Sequence, residues 1–81
     1  MSTPVTLLYF ASLRDAAGVA QESLRTDALT LSALYDERAH AHAFALPVER
    51  VRVAVDGAFA AWSDAPRAGS EIVFIPPVSG G

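Results

Sequence analysis

The sequence predicts an α+β fold in which a mixed sheet of four to five strands packs one face against one main helix. Three observations support this prediction. The order of elements is strand, strand, helix, strand, strand, strand. Two strand pairs are joined closely enough to form hairpins, and only the segment that begins at Thr30 has helical spacing long enough to cross a sheet. At 81 residues, the chain is expected to be a single domain spanning 1–81.

The first hairpin is predicted at the N-terminal end. Residues 5–10, VTLLYF, are rich in aromatic and branched side chains and are typical of a strand. Residues 11–18 predict a short helix, with Gly18 as its C-terminal stop. Residues 21–25 alternate weakly between polar and apolar, which predicts a second strand paired with the first.

The main helix is predicted from Thr30, whose hydroxyl suits an N-cap. Leu31, Leu34 and Tyr35 share one face at helical spacing. The apolar stripe weakens after Arg38, so the sequence leaves the C-terminal half of this helix open.

The second hairpin has the clearest signal in the chain. Valines alternate with other residues up to Asp56-Gly57, a dipeptide typical of two-residue hairpin turns. The return strand is predicted over residues 58–62, and residues 63–70 predict a loop or a single helical turn. The last strand is predicted over residues 71–75, EIVFI.

Two predicted strands carry apolar side chains on both faces, TLLYF (6–10) and IVFI (72–75). Such strands are usually covered on both faces, and one helix covers only one. Either they lie centrally and are covered from within, or part of the second face contacts another protein. Alternation places Phe10 with Leu8 and Thr6, and Ile75 with Val73.

Composition excludes several classes of function. The chain has no cysteine, so it has neither a disulfide nor a thiolate metal site. A net charge of −3 argues against a nucleic-acid partner. The N-terminal apolar run is too short for a signal peptide or a membrane span, and we expect a cytoplasmic protein. No metal site is expected, because His40 and His42 are two residues apart and point to different faces of a helix, and both are expected to be solvated.

The C-terminal segment 76–81 has the features of a functional tail. Pro76 and Pro77 cannot donate ladder hydrogen bonds, so strand pairing should stop there. The six-residue tail reaches at most about 20 Å at ~3.3 Å per residue, and Gly80 and Gly81 can pass a narrow channel. A glycine carboxylate that is converted to an acyl-adenylate is open to attack by sulfur or by an amine. The alternative is an inert, frayed terminus.

The motif EIVFIPPVSGG resembles the C-terminus of the molybdopterin synthase small subunit family (MoaD), whose members are ubiquitin-like β-grasp sulfur carriers. The segments LLYFASLRDAAG and VAVDGAFAAW extend the resemblance over most of the chain. The chain departs from the family pattern at Asp56, where the family often has Asn, and at AGSE before the last strand, where only Gly69 and Glu71 of the family's acidic turn are kept.

The resemblance implies a mechanism for the tail. An adenylating enzyme of the MoeB type uses ATP to activate Gly81, and sulfur then gives a thiocarboxylate. The tail enters the large synthase subunit (MoaE), in a complex expected to be a heterotetramer, and delivers sulfur to cyclic pyranopterin monophosphate. The chain is thus implied to be a sulfur donor with no bound cofactor, not a free-standing enzyme. Gly81 and Gly80 are its expected reactive end, and the expected partner contacts are Phe10, Arg14, Phe59, Ile75, Pro76, Pro77, Val78 and Ser79.

Three functions remain open at this point. The first is the molybdopterin sulfur carrier. The second is a carrier for another pathway, such as thiamine, or a ubiquitin-like protein modifier; thiamine carriers are shorter and lack the proline pair, which favours the first. The third is a β-grasp interaction module with an inert tail.

Overall fold

A computed structural model describes residues 2–78 and confirms the α+β, ubiquitin-like β-grasp fold. The strands are β1 (Thr3–Tyr9), β2 (Gln21–Thr26), β3 (Arg52–Val55), β4 (Ala58–Phe59) and β5 (Ser70–Ile75). They form one sheet in the order β2-β1-β5-β3-β4, in which β1 and β5 are parallel and the other pairs are antiparallel. The helices are α1 (Ala11–Ala17) and α2 (Leu31–His42), and a 3-10 turn covers Val48–Arg50.

The core lies between the sheet and α2. Alternation along β1 and β5 turns every second side chain toward the helix, and those side chains are fully buried. Leu34 and Tyr35 of α2 meet them, and the Tyr35 hydroxyl donates a 2.6 Å hydrogen bond to the Leu46 carbonyl. The buried cluster consists of Val5, Leu7, Tyr9, Leu13, Leu31, Leu34, Tyr35, Val51, Val53, Ile72 and Phe74.

The start of α2 explains why β4 is short. The Thr30 hydroxyl accepts a hydrogen bond from the Ala33 N–H at 3.1 Å, as the sequence predicts for an N-cap. The carbonyls of Trp62 and Asp64 accept from the next free N–H groups, those of Ser32 and Leu31. Ala60 still donates a backbone hydrogen bond to the Val53 carbonyl, but the residues beyond it leave the sheet to cap the helix. The expectation of a strand over 58–62 was therefore wrong.

The helix α2 continues as far as His42, so its C-terminal half, which the sequence left open, is helical. The side chains of Arg38 and His42 reach Glu22 on β2, at 3.5 and 3.0 Å. The helix ends at Ala43, in the left-handed region at φ 56°, and Phe44 then packs against Tyr9 and Tyr35. Polar contacts to the sheet replace the missing apolar stripe.

The first strand ends one residue earlier than predicted. β1 stops at Tyr9, and Phe10 is the extended residue that precedes α1. Its carbonyl accepts from the N–H groups of Leu13 and Arg14. The predicted stop is confirmed, because Gly18 adopts φ 78° and donates its N–H to the Arg14 carbonyl.

Among residues 2–78, no helix is long and apolar enough to cross a membrane.

Candidate functional site

The sheet has a second face, turned away from α2, that is only partly covered. We call it the outer face: Leu8, Arg52, Ala54, Phe59, Val73 and Ile75. Register places Leu8 beside Val73, Val73 beside Ala54, and Ala54 beside Phe59, so an apolar row crosses four strands. The central strands β1 and β5 are thus buried by α2 on one side and half-buried on the other.

Phe59 is the most prominent side chain of the outer face. It is 69% exposed, although it sits in a strand. The Arg52 guanidinium lies 5.7 Å from the centre of its ring, within the range of a cation–π contact. Arg52 is also the ladder partner of Ile75, so it links Phe59 to the end of β5.

Ladder pairing stops where the sequence predicts. Ile75 is the last paired residue of β5, Pro76 is buried against the body of the protein, and Pro77 and Val78 are exposed. The buried Pro76 fixes the direction in which the chain leaves the sheet, because its ring restricts φ. Of the sites expected in the tail, Ser79, Gly80 and Gly81 lie outside the described residues.

Two grooves flank this exit, which we call the tail root (Ile75–Val78). One, of about 500 Å³, is lined by the tail root with Phe10, Ala11 and Ser12. The other, of about 370 Å³, is lined by the tail root with Arg50 and Arg52. The parallel pairing of β1 and β5 brings the ends of both strands to one edge of the sheet, which is why Phe10 and Ile75 line one groove.

The predicted contact residues are thus placed as follows. Phe10, 49% exposed, shares a groove with Ile75, Pro76, Pro77 and Val78. Phe59 lines neither groove and is reached through Arg52. Arg14 is exposed on α1, one turn after Phe10, and also lies outside both groove linings.

Sequence reasoning missed four residues at this site, one of which is Ser12 in the Phe10 groove. Arg50 and Arg52 line the tail root, and their alternation with Val51 and Val53 is the signal that could have placed them opposite the core. Ala11 lines the Phe10 groove with φ 49°, a conformation that is strained for alanine. No local sequence signal marks that strain.

A polar cluster lies on the helix side of the sheet. Glu22 accepts hydrogen bonds from the Tyr9 hydroxyl at 2.7 Å, and its carboxylate also contacts His42 and Arg38. Burial acts to raise the pKa of Glu22, but the hydrogen bonds from Tyr9 and His42 and the nearby positive charges outweigh it, and the net pKa is lowered. Burial, and then the Glu22 contact, raises the pKa of Tyr9.

This cluster corrects the expectation that both histidines are solvated. His40 is exposed, but His42 is half-buried beside Glu22 and packs edge-on against the Tyr9 ring. The carboxylate is already occupied by its partners, so the cluster holds α2 to β2 rather than offering a free base. Within residues 2–78, no three of the His, Asp and Glu side chains are grouped to hold a metal ion.

The ThiS family model matches residues 7–81, nearly the whole chain. The chain belongs to the ThiS family. Among solved structures it is similar to SAMP1 from Haloferax volcanii, with 28% identity, a TM-score of 0.78, and 96% of this chain and 99% of that chain covered. No curated protein matches the sequence significantly.

Two more distant structures support the fold alone. One is a protein from Pyrococcus furiosus provisionally assigned as molybdopterin converting factor subunit 1, with 24% identity, a TM-score of 0.76, and 95% and 100% of the two chains covered. The other is the ubiquitin of Caldiarchaeum subterraneum, with 15% identity, a TM-score of 0.67 and full coverage of both chains. This ThiS-family protein therefore has the fold shared by ubiquitin-like sulfur carriers and modifiers.

Proposed function

We propose that this ThiS-family protein is the sulfur-carrying small subunit of a molybdopterin synthase. The observation that carries the proposal is the tail root. A central strand ends at Ile75, a buried proline fixes the exit, and the sequence continues to Gly80-Gly81. A stiff root lowers the conformational cost of placing such a tail in a partner's channel.

The chemistry proceeds at the Gly81 carboxylate in two steps. An oxygen of the carboxylate attacks the α-phosphorus of ATP in the activating enzyme, and pyrophosphate leaves. Hydrosulfide from a sulfide donor then attacks the acyl carbon, AMP leaves with the electron pair of the broken C–O bond, the sulfur loses its proton, and a thiocarboxylate remains. ATP is consumed by the activating enzyme, and the carrier itself holds no cofactor in this scheme.

The outer face supplies the docking surface in this scheme. Phe59 on this face and Phe10 in the adjoining groove present large exposed apolar surface, and Ile75, the first residue of the tail root, belongs to the strand that lies between them in the sheet. Aromatic anchors with arginine at the margin are typical of interface hot spots. The large subunit would cover this face while the tail enters its catalytic pocket, in a cytoplasmic heterotetramer, and the carrier would act as donor rather than as enzyme.

Similarity to SAMP1, a small archaeal modifier protein, supports a second candidate, a protein modifier. Activation of Gly81 is common to both functions, and the acceptor differs. In the modifier, a protein amine attacks the activated carbon. In the carrier, sulfur does. A carrier for thiamine synthesis shares the first steps as well, and the proline pair at residues 76–77 disfavours it.

The proposal is tested by reconstitution. Protein carrying a Gly81 thiocarboxylate is incubated with a molybdopterin synthase large subunit and cyclic pyranopterin monophosphate, and molybdopterin is measured by conversion to its fluorescent oxidation product. We expect product in proportion to the thiocarboxylate supplied. The matched control lacks Gly81 and should be folded but inactive. Full activity of the truncated protein, or no product with the intact one, would overturn the proposal.

A further inference from the structure

The cationic surface of this protein contains no amine side chain. All six basic residues are arginine, and the sequence has no lysine. Five of the six are exposed: Arg14, Arg25, Arg50, Arg52 and Arg67. Two of these, Arg50 and Arg52, line the groove beside the tail root, which makes them the cations nearest to the start of the reactive tail.

Arginine and lysine differ in what they do beside an activated acyl group. The guanidinium stays protonated and delocalised in proteins, so it has no free lone pair for attack. A lysine is a primary amine with a pKa near 10.4, so a small fraction is neutral and nucleophilic at physiological pH. A lysine beside the tail root would compete with the intended acceptor.

We propose that Arg50 and Arg52 act as specificity-determining residues: they supply positive charge beside the tail root without a nucleophile that captures the activated Gly81. The inference rests on the proposed activation of Gly81. It deepens that function by naming what protects the activated glycine before an acceptor arrives. It applies equally whether the acceptor is sulfur or a protein amine.

Geometry places position 52 within reach of the tail. Arg52 pairs with Ile75, and the six residues that follow Ile75 span at most about 20 Å at ~3.3 Å per residue. Position 52 therefore lies within the maximum span of the residues that join Ile75 to Gly81.

Position 25 gives a matched comparison. Arg25 pairs with Pro4, and Val5 pairs with Ser70, so Arg25 lies at the opposite end of the sheet. It is about 20 Å from Ile75 along the strands and two strands away at ~4.8 Å each. The combined separation exceeds the reach of about 20 Å that a fully extended tail has, so a lysine there reacts mainly with other copies.

The capture reaction is a simple acyl transfer. The neutral lysine amine attacks the Gly81 carbonyl carbon and forms a C–N bond. The bond from that carbon to its leaving group breaks, the leaving group departs with the electron pair, and the nitrogen releases its proton to solvent. The leaving group is AMP for the adenylate and a thiolate for a thioester.

The test uses the full chain carrying a Gly81 thioester as a chemically prepared substitute for the adenylate. Wild type, Arg52→Lys and Arg25→Lys are held near pH 8, and intact mass and peptide mapping follow the loss of the thiol. We expect wild type to lose its thioester by hydrolysis. Arg52→Lys should form an internal amide between the introduced side chain and Gly81 about tenfold faster or more, because a short tether gives a high effective concentration.

Concentration dependence separates the two variants. The internal amide of Arg52→Lys should form at a rate independent of protein concentration. Adducts of Arg25→Lys should be mainly intermolecular and scale with concentration. Circular dichroism and thermal melts confirm that all three proteins are folded.

Two results would overturn the inference: Arg52→Lys losing its thioester at the wild-type rate without an amide, or wild type forming side-chain adducts as readily as Arg52→Lys. Because the thioester is made chemically, neither result depends on an activating enzyme or a large subunit. Failure of the reconstitution assay would not change the interpretation of the thioester measurement. Failure of the thioester measurement would likewise not change the interpretation of the reconstitution assay.

Discussion

The two faces of β1 and β5 differ in how they are covered. On the helix side, Leu7, Ile72 and Phe74 are completely buried, and aromatic rings contact Phe74 edge-on or stacked. On the outer face, their sequence neighbours Leu8, Val73 and Ile75 are only half-buried. The same strands thus have one side built for stability and another with apolar area left uncovered.

This difference has a simple origin. A chain of this size has one long helix, and that helix covers one face of the five-stranded sheet. Most side chains on the helix side contribute to folding, because their burial is complete without a partner. Those on the outer face still have area to bury, and that area adjoins the tail root. Paired substitutions on the two faces test whether the helix side determines stability and the outer face determines binding.

The largest effect is expected in the core. Phe74→Ala removes a fully buried ring that contacts Tyr35 and Trp62, and such truncations cost about 3–5 kcal/mol. Since small domains have only about 5–15 kcal/mol of stability, much of the population should unfold. Val73→Ala, on the outer face of the same strand, should cost about 1 kcal/mol. Urea denaturation measures both, and equal losses would contradict the division.

The next effect concerns binding. Phe59→Glu and Phe10→Glu place a charge on exposed positions, so the free energy of unfolding should change by about 0.5 kcal/mol or less. Each side chain is expected to contribute roughly 1.5–3 kcal/mol to a buried interface, so affinity for the large subunit should fall about tenfold or more. Calorimetry measures the affinity and thermal melts measure the stability of the same samples, so the two effects can be separated. Unfolded variants would show that these side chains belong to the core.

The pH dependence of stability should report the polar cluster on the helix side. Because the pKa of Glu22 is lower in the folded state, the cluster's contribution is present above the ordinary glutamate range, near 4.3, and is lost as pH falls through the folded-state pKa. The Glu22→Gln variant should lose about 1–2 kcal/mol of its free energy of unfolding at pH 7. Its stability should also fall less steeply on the acid side of the stability–pH curve, the acid limb.

The loss of stability at alkaline pH, the alkaline limb of the same curve, has a different origin. The raised pKa values of Tyr9 and Tyr35 mean that stability is complete below about pH 10 and declines above it. Glu22→Gln should leave most of this limb in place, because burial is the main cause for both tyrosines. For the acid limb, the contradicting result would be the same pH dependence in Glu22→Gln as in wild type. That result would show that other carboxylates dominate the acid limb.

Much of the fold follows from local signals in the sequence. Asp56-Gly57 adopts the two positive φ values that its turn requires, at 51° and 89°, and Thr30 caps α2 as expected. Apolarity on both faces of the first and last strands left a central position as one of two alternatives, and both strands do lie inside the sheet. These features depend on residues close together in sequence, or on simple periodicity.

What the sequence did not predict depends on long-range contacts. The short β4 follows from Trp62 and Asp64 turning to cap a helix that begins far earlier in the chain. The length of α2 depends on Glu22, which belongs to a different strand. At the candidate site, Arg50 and Arg52 gain importance only because β3 pairs with β5 and brings them beside the tail root.

The smallest effect compares two strained alanines, one at the end of α2 and one in the groove beside the tail root. Ala43 ends α2 on the helix side at φ 56°, and Ala11 lines the Phe10 groove at φ 49°. Glycine adopts such angles without a steric cost, so Ala43→Gly and Ala11→Gly should each stabilise the fold by about 0.5 kcal/mol, net of the larger unfolded-state entropy of glycine. For a domain of this length, that is a rise in Tm of roughly 2–4 °C. Only Ala11→Gly should also weaken large-subunit binding, by about two- to threefold, because glycine frees the backbone that orients Phe10. Equal binding by both variants would show that the strain at Ala11 serves the fold alone.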